Sequence, residues 1–184
     1  GWRKERLPNP PTGIIEIPVV TFGAWAIGGG YWGATDDDAA VAAIRSAIDF
    51  GMTAVDTAPI YGLGHSERIV GQAIAGRREQ VVVMTKVGLR WDAPEGDLFF
   101  ESAGDDGKPL KVYRNARPES VRLEVERSLE RLGIETIDLL QIHWPDPTTP
   151  IADSVGALLD LRREGKLREI GVSNYTPAML REAQ

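Results

Sequence analysis

Hydrophobic positions along the chain follow two alternating periods. Short apolar runs at residues 19–22, 53–55, 81–85, 137–142 and 167–172 are rich in β-branched and aromatic residues. Each predicts a strand. Between them, apolar residues recur every three to four positions, as helices require. Thr35 is expected to cap the first helix, with Asp36, Asp37 and Asp38 in its first turn and Gly51 at its end. Ser66 is the expected N-cap of the second, which runs through Ile69 and Val70 to about Ala75, with Gly76 closing it. Pro118 opens the third, whose stripe is Val121, Val125, Leu129 and Leu132, and Gly133 closes it. Thr149-Pro150 and Thr176-Pro177 open two more.

Two stretches stand outside the alternation. Residues 1–13 are polar and proline-rich and read as an irregular lead-in, with a short strand expected over 14–17. Residues 87–117 form a long insertion. Leu98-Phe99-Phe100 and Leu110-Lys111-Val112-Tyr113 flank Asp106-Gly107, which predicts a hairpin or folded flap over about 88–117. Strands and helices in strict alternation imply a parallel sheet. Eight such units need about 250 residues, and here they stop at five. The expected fold is therefore α/β, a partial (β/α)8 TIM barrel. The expected domain is 1–184, the N-terminal portion of one barrel, truncated at its C-terminal side. The remainder would come from elsewhere, and an open sheet edge predicts self-association.

Composition narrows the classes. A net charge of −6 argues against a general nucleic-acid or anionic-membrane surface. No run of 18 apolar residues predicts a transmembrane helix. The chain has no cysteine, which excludes disulfides and thiolate chemistry and suits a cytoplasmic location. Two histidines are too few for an all-histidine zinc site, and no metal site is expected.

Candidate chemistry gathers at strand ends. Val55-Asp56-Thr57-Ala58-Pro59-Ile60-Tyr61-Gly62 places a carboxylate and a phenol on one loop, while Lys86 and His143 follow later apolar runs. In a parallel barrel these ends share the active-site face. A lysine ammonium would lower the pKa of the Tyr61 phenol, Asp56 would hold the lysine, and a neutral His143 would orient a carbonyl oxygen. Together they would protonate an oxygen that gains charge, as hydride addition to a carbonyl demands. A Schiff-base lyase using Lys86 is a less favoured alternative.

Several motifs then carry a family resemblance: Phe22-Gly23-Ala24-Trp25-Ala26-Ile27-Gly28-Gly29, Asp56-Thr57-Ala58-Pro59-Ile60-Tyr61-Gly62, Ser66-Glu67, Thr85-Lys86-Val87-Gly88, His143-Trp144-Pro145-Asp146 and Gly171-Val172-Ser173-Asn174. The chain resembles the aldo-keto reductases from about Val20 to Gln184. The runs Gly64-His65-Ser66-Glu67 and His143-Trp144-Pro145-Asp146 look like the bacterial general- and sugar-aldehyde-reducing branch, which is related to the potassium-channel β subunits. The resemblance implies an oxidoreductase that moves hydride from NADPH to an aldehyde, ketone or sugar carbonyl, with NAD(H) not excluded. It implies Tyr61 as proton donor, with Lys86, Asp56 and His143 as its catalytic partners. Gly23, Ala24, Trp25, Asp56, Ser173 and Asn174 would bind the cofactor, and Trp25, Trp91 and Trp144 would shape the substrate pocket. Channel β subunits carry asparagine at the histidine position, so His143 favours the enzyme over an inactive or regulatory cofactor-binding partial barrel.

Blander readings cover the other polar residues. His65 is read as an exposed loop or cap residue and Gly28, Gly29 and Gly30 as turn residues. Asp105-Asp106 is read as a turn, and Arg127 and Arg131 as a solvated helix face or interface.

Overall fold

The computed structural model describes residues 15–29, 33, 35–104 and 108–184. The expectations for residues 1–13, for Gly30 and for the Asp105–Gly107 turn lie outside the described residues. Five strands form one parallel sheet: β1 (Phe22–Gly23), β2 (Ala54–Asp56), β3 (Val82–Val87), then β7 (Ile137–Ile142) and β8 (Leu167–Val172), in that spatial order. The intervening β4 (Leu89–Arg90), β5 (Asp97–Ala103) and β6 (Pro109–Arg114) make a separate antiparallel flap, ordered β4-β6-β5. Each parallel crossover passes through a helix, as parallel pairing requires. The helices are α1 (Asp37–Asp49), α2 (His65–Ile74), α3 (Pro118–Leu132), α4 (Ile151–Arg163) and α5 (Pro177–Ala183). Neighbouring helices pack side by side in chain order outside the sheet.

The core lies between sheet and helices. Val55, Val83, Leu140 and Ile142 from the strands meet Ile44, Ile69, Val70, Val121, Val125 and Leu158 from the helices. Burying each large aliphatic side chain contributes roughly 1.5–3 kcal/mol. The stripe expected on α3 is buried at Val121, Val125, Leu129 and Leu132, and Gly133 ends the helix in the left-handed conformation.

Four sequence expectations are corrected. The first strand is two residues long, and Val19 and Val20 stand exposed before it. Its partner β2 has only three residues, so there is little ladder to extend it. Residues 15–17 are irregular rather than a strand. Asp36, not Thr35, caps α1 by accepting from the Ala39 N–H at 3.0 Å, while the Thr35 hydroxyl donates to Ile27 O. The N-cap of α2 is Gly64, one residue before His65, and the Ser66 side chain turns inward instead.

Candidate active site

The sheet brings the four sequence-predicted catalytic groups to one rim. β2 ends on Asp56, β3 carries Lys86 one residue before its end, and His143 directly follows β7. Asp56 stands opposite Met84 in the β2–β3 ladder. Alternation puts Lys86, two residues on, on the same face as Met84. The two side chains meet there. Lys86 Nζ lies 2.8 Å from each Asp56 carboxylate oxygen and 2.9 Å from the Thr57 carbonyl oxygen. An ammonium has three protons, and all three are committed. Lys86 is only 7% exposed, so its charge is held by protein groups rather than by water.

Tyr61 sits over this pair. Lys86 Nζ is 5.3 Å from the centre of its ring. The His143 ring meets Tyr61 edge-on, with centroids 6.0 Å apart and planes at 81°. Trp25 lies on another side at 6.3 Å. The loop that carries the phenol is fixed from below. The Tyr61 N–H donates to Ala58 O and the Ser66 N–H donates to Tyr61 O, each at 3.1 Å. The backbones of Gly28 and Gly62 abut, so that a Cβ on Gly28 would come within 2.6 Å of Gly62 N. Gly62 also has φ +64°, in the left-handed region that favours glycine.

The electrostatics correct one expectation. Burial, and then the Asp56 carboxylate, push the Tyr61 phenol up to about 12, not down. The expected neutrality of His143 agrees with the structure. Burial and the nearby Lys86 ammonium lower its pKa to about 4, so the ring is uncharged at neutral pH.

Ser173 and Asn174 follow β8 on the same rim. The Ser173 N–H donates to Ile142 O at 2.8 Å. Asn174 takes a left-handed φ of 61°, and its Nδ2 donates to His143 O at 2.9 Å and to Ser173 Oγ at 3.0 Å. With Nδ2 so engaged, the Ser173 hydroxyl proton and Asn174 Oδ1 can turn toward a ligand. One donor beside one acceptor matches a carboxamide. On the far side of the rim, Gly23 and Trp25 are exposed, whereas Ala24 is fully buried behind them.

The flap contributes Phe99. The β5–β6 ladder shifts register between Leu98 and Phe100. A bulge of this kind re-aims a side chain, and the Phe99 ring packs on Trp144 at 5.1 Å with the Arg114 guanidinium over it at 5.1 Å. Trp144 is thus tied to the flap beside His143. Trp91 is half-buried just after β4, at the flap's base.

Sequence reasoning missed the buried carboxylates around the site. Glu67 is fully buried on α2, where it accepts from the Thr85 hydroxyl at 2.7 Å and from Arg131 Nε at 2.6 Å. Arg131 is therefore a buried-network residue rather than part of a solvated face. Arg127 is half-buried and pairs with Asp92. His65 is half-buried and bonds Asp37 at 2.8 Å. Glu124 on α3 accepts from the Gly88 N–H behind the end of β3. Burial raises its pKa to about 8, although the Gly88 N–H and the Arg90 charge pull it down. Asp146 accepts from the Ala116 N–H and from the Thr148 and Thr149 hydroxyls, which fastens the loop after His143 to the start of α3. The run His143-Trp144-Pro145-Asp146 was a visible signal for Asp146. Ser66-Glu67 was among the visible motifs, but nothing local marks Glu124, whose partner Gly88 lies 36 residues away in the chain.

A parallel βα sheet with its polar groups gathered at the C-terminal strand ends has the layout of the active-site face of a βα barrel. Residues 19–184 match the model of the aldo/keto reductase family, and the chain belongs to that family. It is 43% identical over 164 residues to the aldo-keto reductase YhdN of Bacillus subtilis, covering 88% of this chain and 45% of that protein. It is 44% identical over 180 residues to the NADH-specific methylglyoxal reductase of Escherichia coli, covering 94% of this chain and 53% of the relative. Among solved structures, a glycerol dehydrogenase of Gluconobacter oxydans superposes with a TM-score of 0.79 at 47% identity, over 94% of this chain and 50% of the other. The chain spans about half the length of the curated relatives it matches. Its five-stranded parallel sheet is a partial (β/α)8 barrel. Among the described residues, no helix is long and apolar enough to cross a membrane.

Proposed function

We propose that this chain carries the proton-donating part of a nicotinamide-dependent carbonyl reductase, with Tyr61 as the donor. The observation that carries the reading is the Lys86 ammonium, bonded to both Asp56 oxygens and Thr57 O beneath the Tyr61 ring, with His143 edge-on to that ring. The cofactor, when bound, supplies hydride to the carbonyl carbon of an aldehyde, ketone or sugar. The chain's own residues handle the oxygen. Neutral His143 donates a hydrogen bond to the carbonyl oxygen and aims it at Tyr61. As negative charge grows on that oxygen, the Tyr61 hydroxyl releases its proton to it. An alkoxide is more basic than a phenolate, so transfer stays favourable even from a phenol held at about 12. Lys86 lies close enough to stabilise the phenolate that remains. Ser173 and Asn174 fit the carboxamide of the nicotinamide, and Gly23 and Trp25 flank the same rim. Trp144, backed by Phe99, stands on the substrate side.

NADP(H) is the cofactor we favour from the motifs. The name of the Escherichia coli relative points instead to NADH, so both are assayed. Use of Lys86 as an imine-forming nucleophile is disfavoured, because all three of its protons are held and attack needs a free amine.

The test is aldehyde-dependent oxidation of NADPH and NADH by the purified protein. Replacing Tyr61 by Phe is expected to lower turnover by roughly a hundredfold or more while leaving cofactor binding in place. Undiminished turnover by Tyr61→Phe would overturn the assignment.

A further inference from the structure

We infer that Ser66 is a positioning residue for this site, holding the Tyr61 loop and the Lys86 ammonium in register through Thr57. Its catalytic consequence rests on the reductase reading above; its structural part does not. Ser66 stands in the first turn of α2, yet its hydroxyl caps no helix N–H. Ser66 Oγ lies 2.8 Å from Ala24 O and 2.9 Å from Thr57 Oγ1. One proton arrangement satisfies all three oxygens. A carbonyl cannot donate, so Ser66 gives its proton to Ala24 O and Thr57 gives its proton to Ser66. Ala24, Thr57 and Ser66 are each 0% exposed. Water therefore has no ready access to replace a lost partner, and an unpaired buried hydroxyl or carbonyl is costly.

The hydroxyl pair joins the segments that build the site. Thr57 O accepts the third Lys86 proton at 2.9 Å, and the Thr57 N–H is fixed to Met84 O at 2.9 Å. Ala24 precedes Trp25, and the Ala24 N–H donates to Asp56 O at 2.8 Å. The Ser66 N–H meanwhile donates to Tyr61 O at 3.1 Å. Ser66 thus holds the proton donor by its backbone and, by its side chain, the hydroxyl of Thr57, the residue whose carbonyl supports Lys86. It touches neither phenol nor ammonium, so it acts through Thr57 and the loop.

Three variants test this: Ser66→Ala, Thr57→Val, and Thr57→Ser, which keeps the hydroxyl. The first readout needs no catalysis. The folded protein is treated with acetic anhydride well below its unfolding midpoint, and Lys86 acetylation is followed by peptide mass spectrometry with Lys111 and Lys166 as internal standards. Ser66→Ala and Thr57→Val are expected to raise the Lys86 rate severalfold, and Thr57→Ser to leave it near wild type. The second readout is turnover. In the same two variants kcat is expected to fall by about ten- to a hundredfold with KM little changed, since small misplacements of reacting groups act on that scale. If Ser66→Ala does not fold, Thr57→Val against Thr57→Ser decides alone. A lowered unfolding midpoint with unchanged Lys86 labelling overturns the inference, as does raised labelling with undiminished kcat. If the wild-type protein reduces no carbonyl, the reductase reading fails, while labelling still decides whether Ser66 positions Lys86.

Discussion

At the ends of β2 and β3, Lys86 spends every proton inside the protein, and Thr57, Ser66 and Glu67 behind it are fully buried. At the end of β8, Ser173 is half-buried and Asn174 exposed. Both ends are polar and both lie on one rim, but only the first is bonded on all sides. On the proposed reading, the difference follows what each end must do. A group that meets developing charge has to be in place beforehand, because reorganising it during the reaction would raise the barrier. A group that recognises a neutral amide needs only one donor and one acceptor, and a few bonds to β7 suffice to aim them.

The comparison breaks first at Lys86. Lys86→Met removes the cation and leaves the Asp56 carboxylate without its partner. Turnover should fall by roughly a hundredfold or more, as for loss of a preorganised charge. Asp56 is partly open to solvent, so the stability loss should stay below about 3 kcal/mol, under that of a fully buried pair. Steady-state kinetics and a denaturant melt read the two effects.

Glu124 sharpens the same side through pH. Its folded pKa of about 8 lies above the ordinary carboxyl value of 4.5, so the native state holds a proton that the unfolded chain releases. Stability from this group is fully present below about 4.5 and is lost as pH rises through about 8. Glu124→Gln should flatten that decline, and denaturant midpoints from pH 5 to 9 would show it. A decline equally steep in the variant would remove Glu124 as its source.

The smallest effect is expected at β8. Asn174→Gly keeps the left-handed backbone but removes the amide. Cofactor affinity should weaken by about fivefold to tenfold, the scale of one lost hydrogen bond, with kcat little changed. A loss as large as that of Lys86→Met would erase the contrast between the two ends. Titration of NADPH and NADH by fluorescence measures it.

What the sequence showed and what it hid divide by the range of the interaction. Periodicity and end signals located α3, β7 and β8, because Pro118, Gly133 and the apolar stripes act within a few residues. The four candidate positions were legible because Asp56, Lys86 and His143 each close an apolar run and Tyr61 shares the Asp56 loop. Ser66 was read as a helix cap by a local rule, but its partners are Ala24 and Thr57, which only the folded sheet brings near. Arg131 looked solvated for the same reason, since Glu67 lies 64 residues away in the chain. Phe99 was hidden in an apolar triplet, and only the bulge in β5 shows which of the three turns toward Trp144. The direction of the Tyr61 shift was missed because it comes first from burial of the phenol, which only the folded packing creates, and then from the Asp56 carboxylate beside it.

The contact between Gly28 and Gly62 has a consequence for how this chain can diverge. Each backbone is the wall against which the other rests, and a methyl group on either would meet main-chain atoms that cannot swing aside. No order of single replacements leads away from the pair, and a double replacement only doubles the collision. Drift elsewhere can remodel the rim and exchange one substrate for another. A side chain on either glycine would have to displace the loop that carries the phenol.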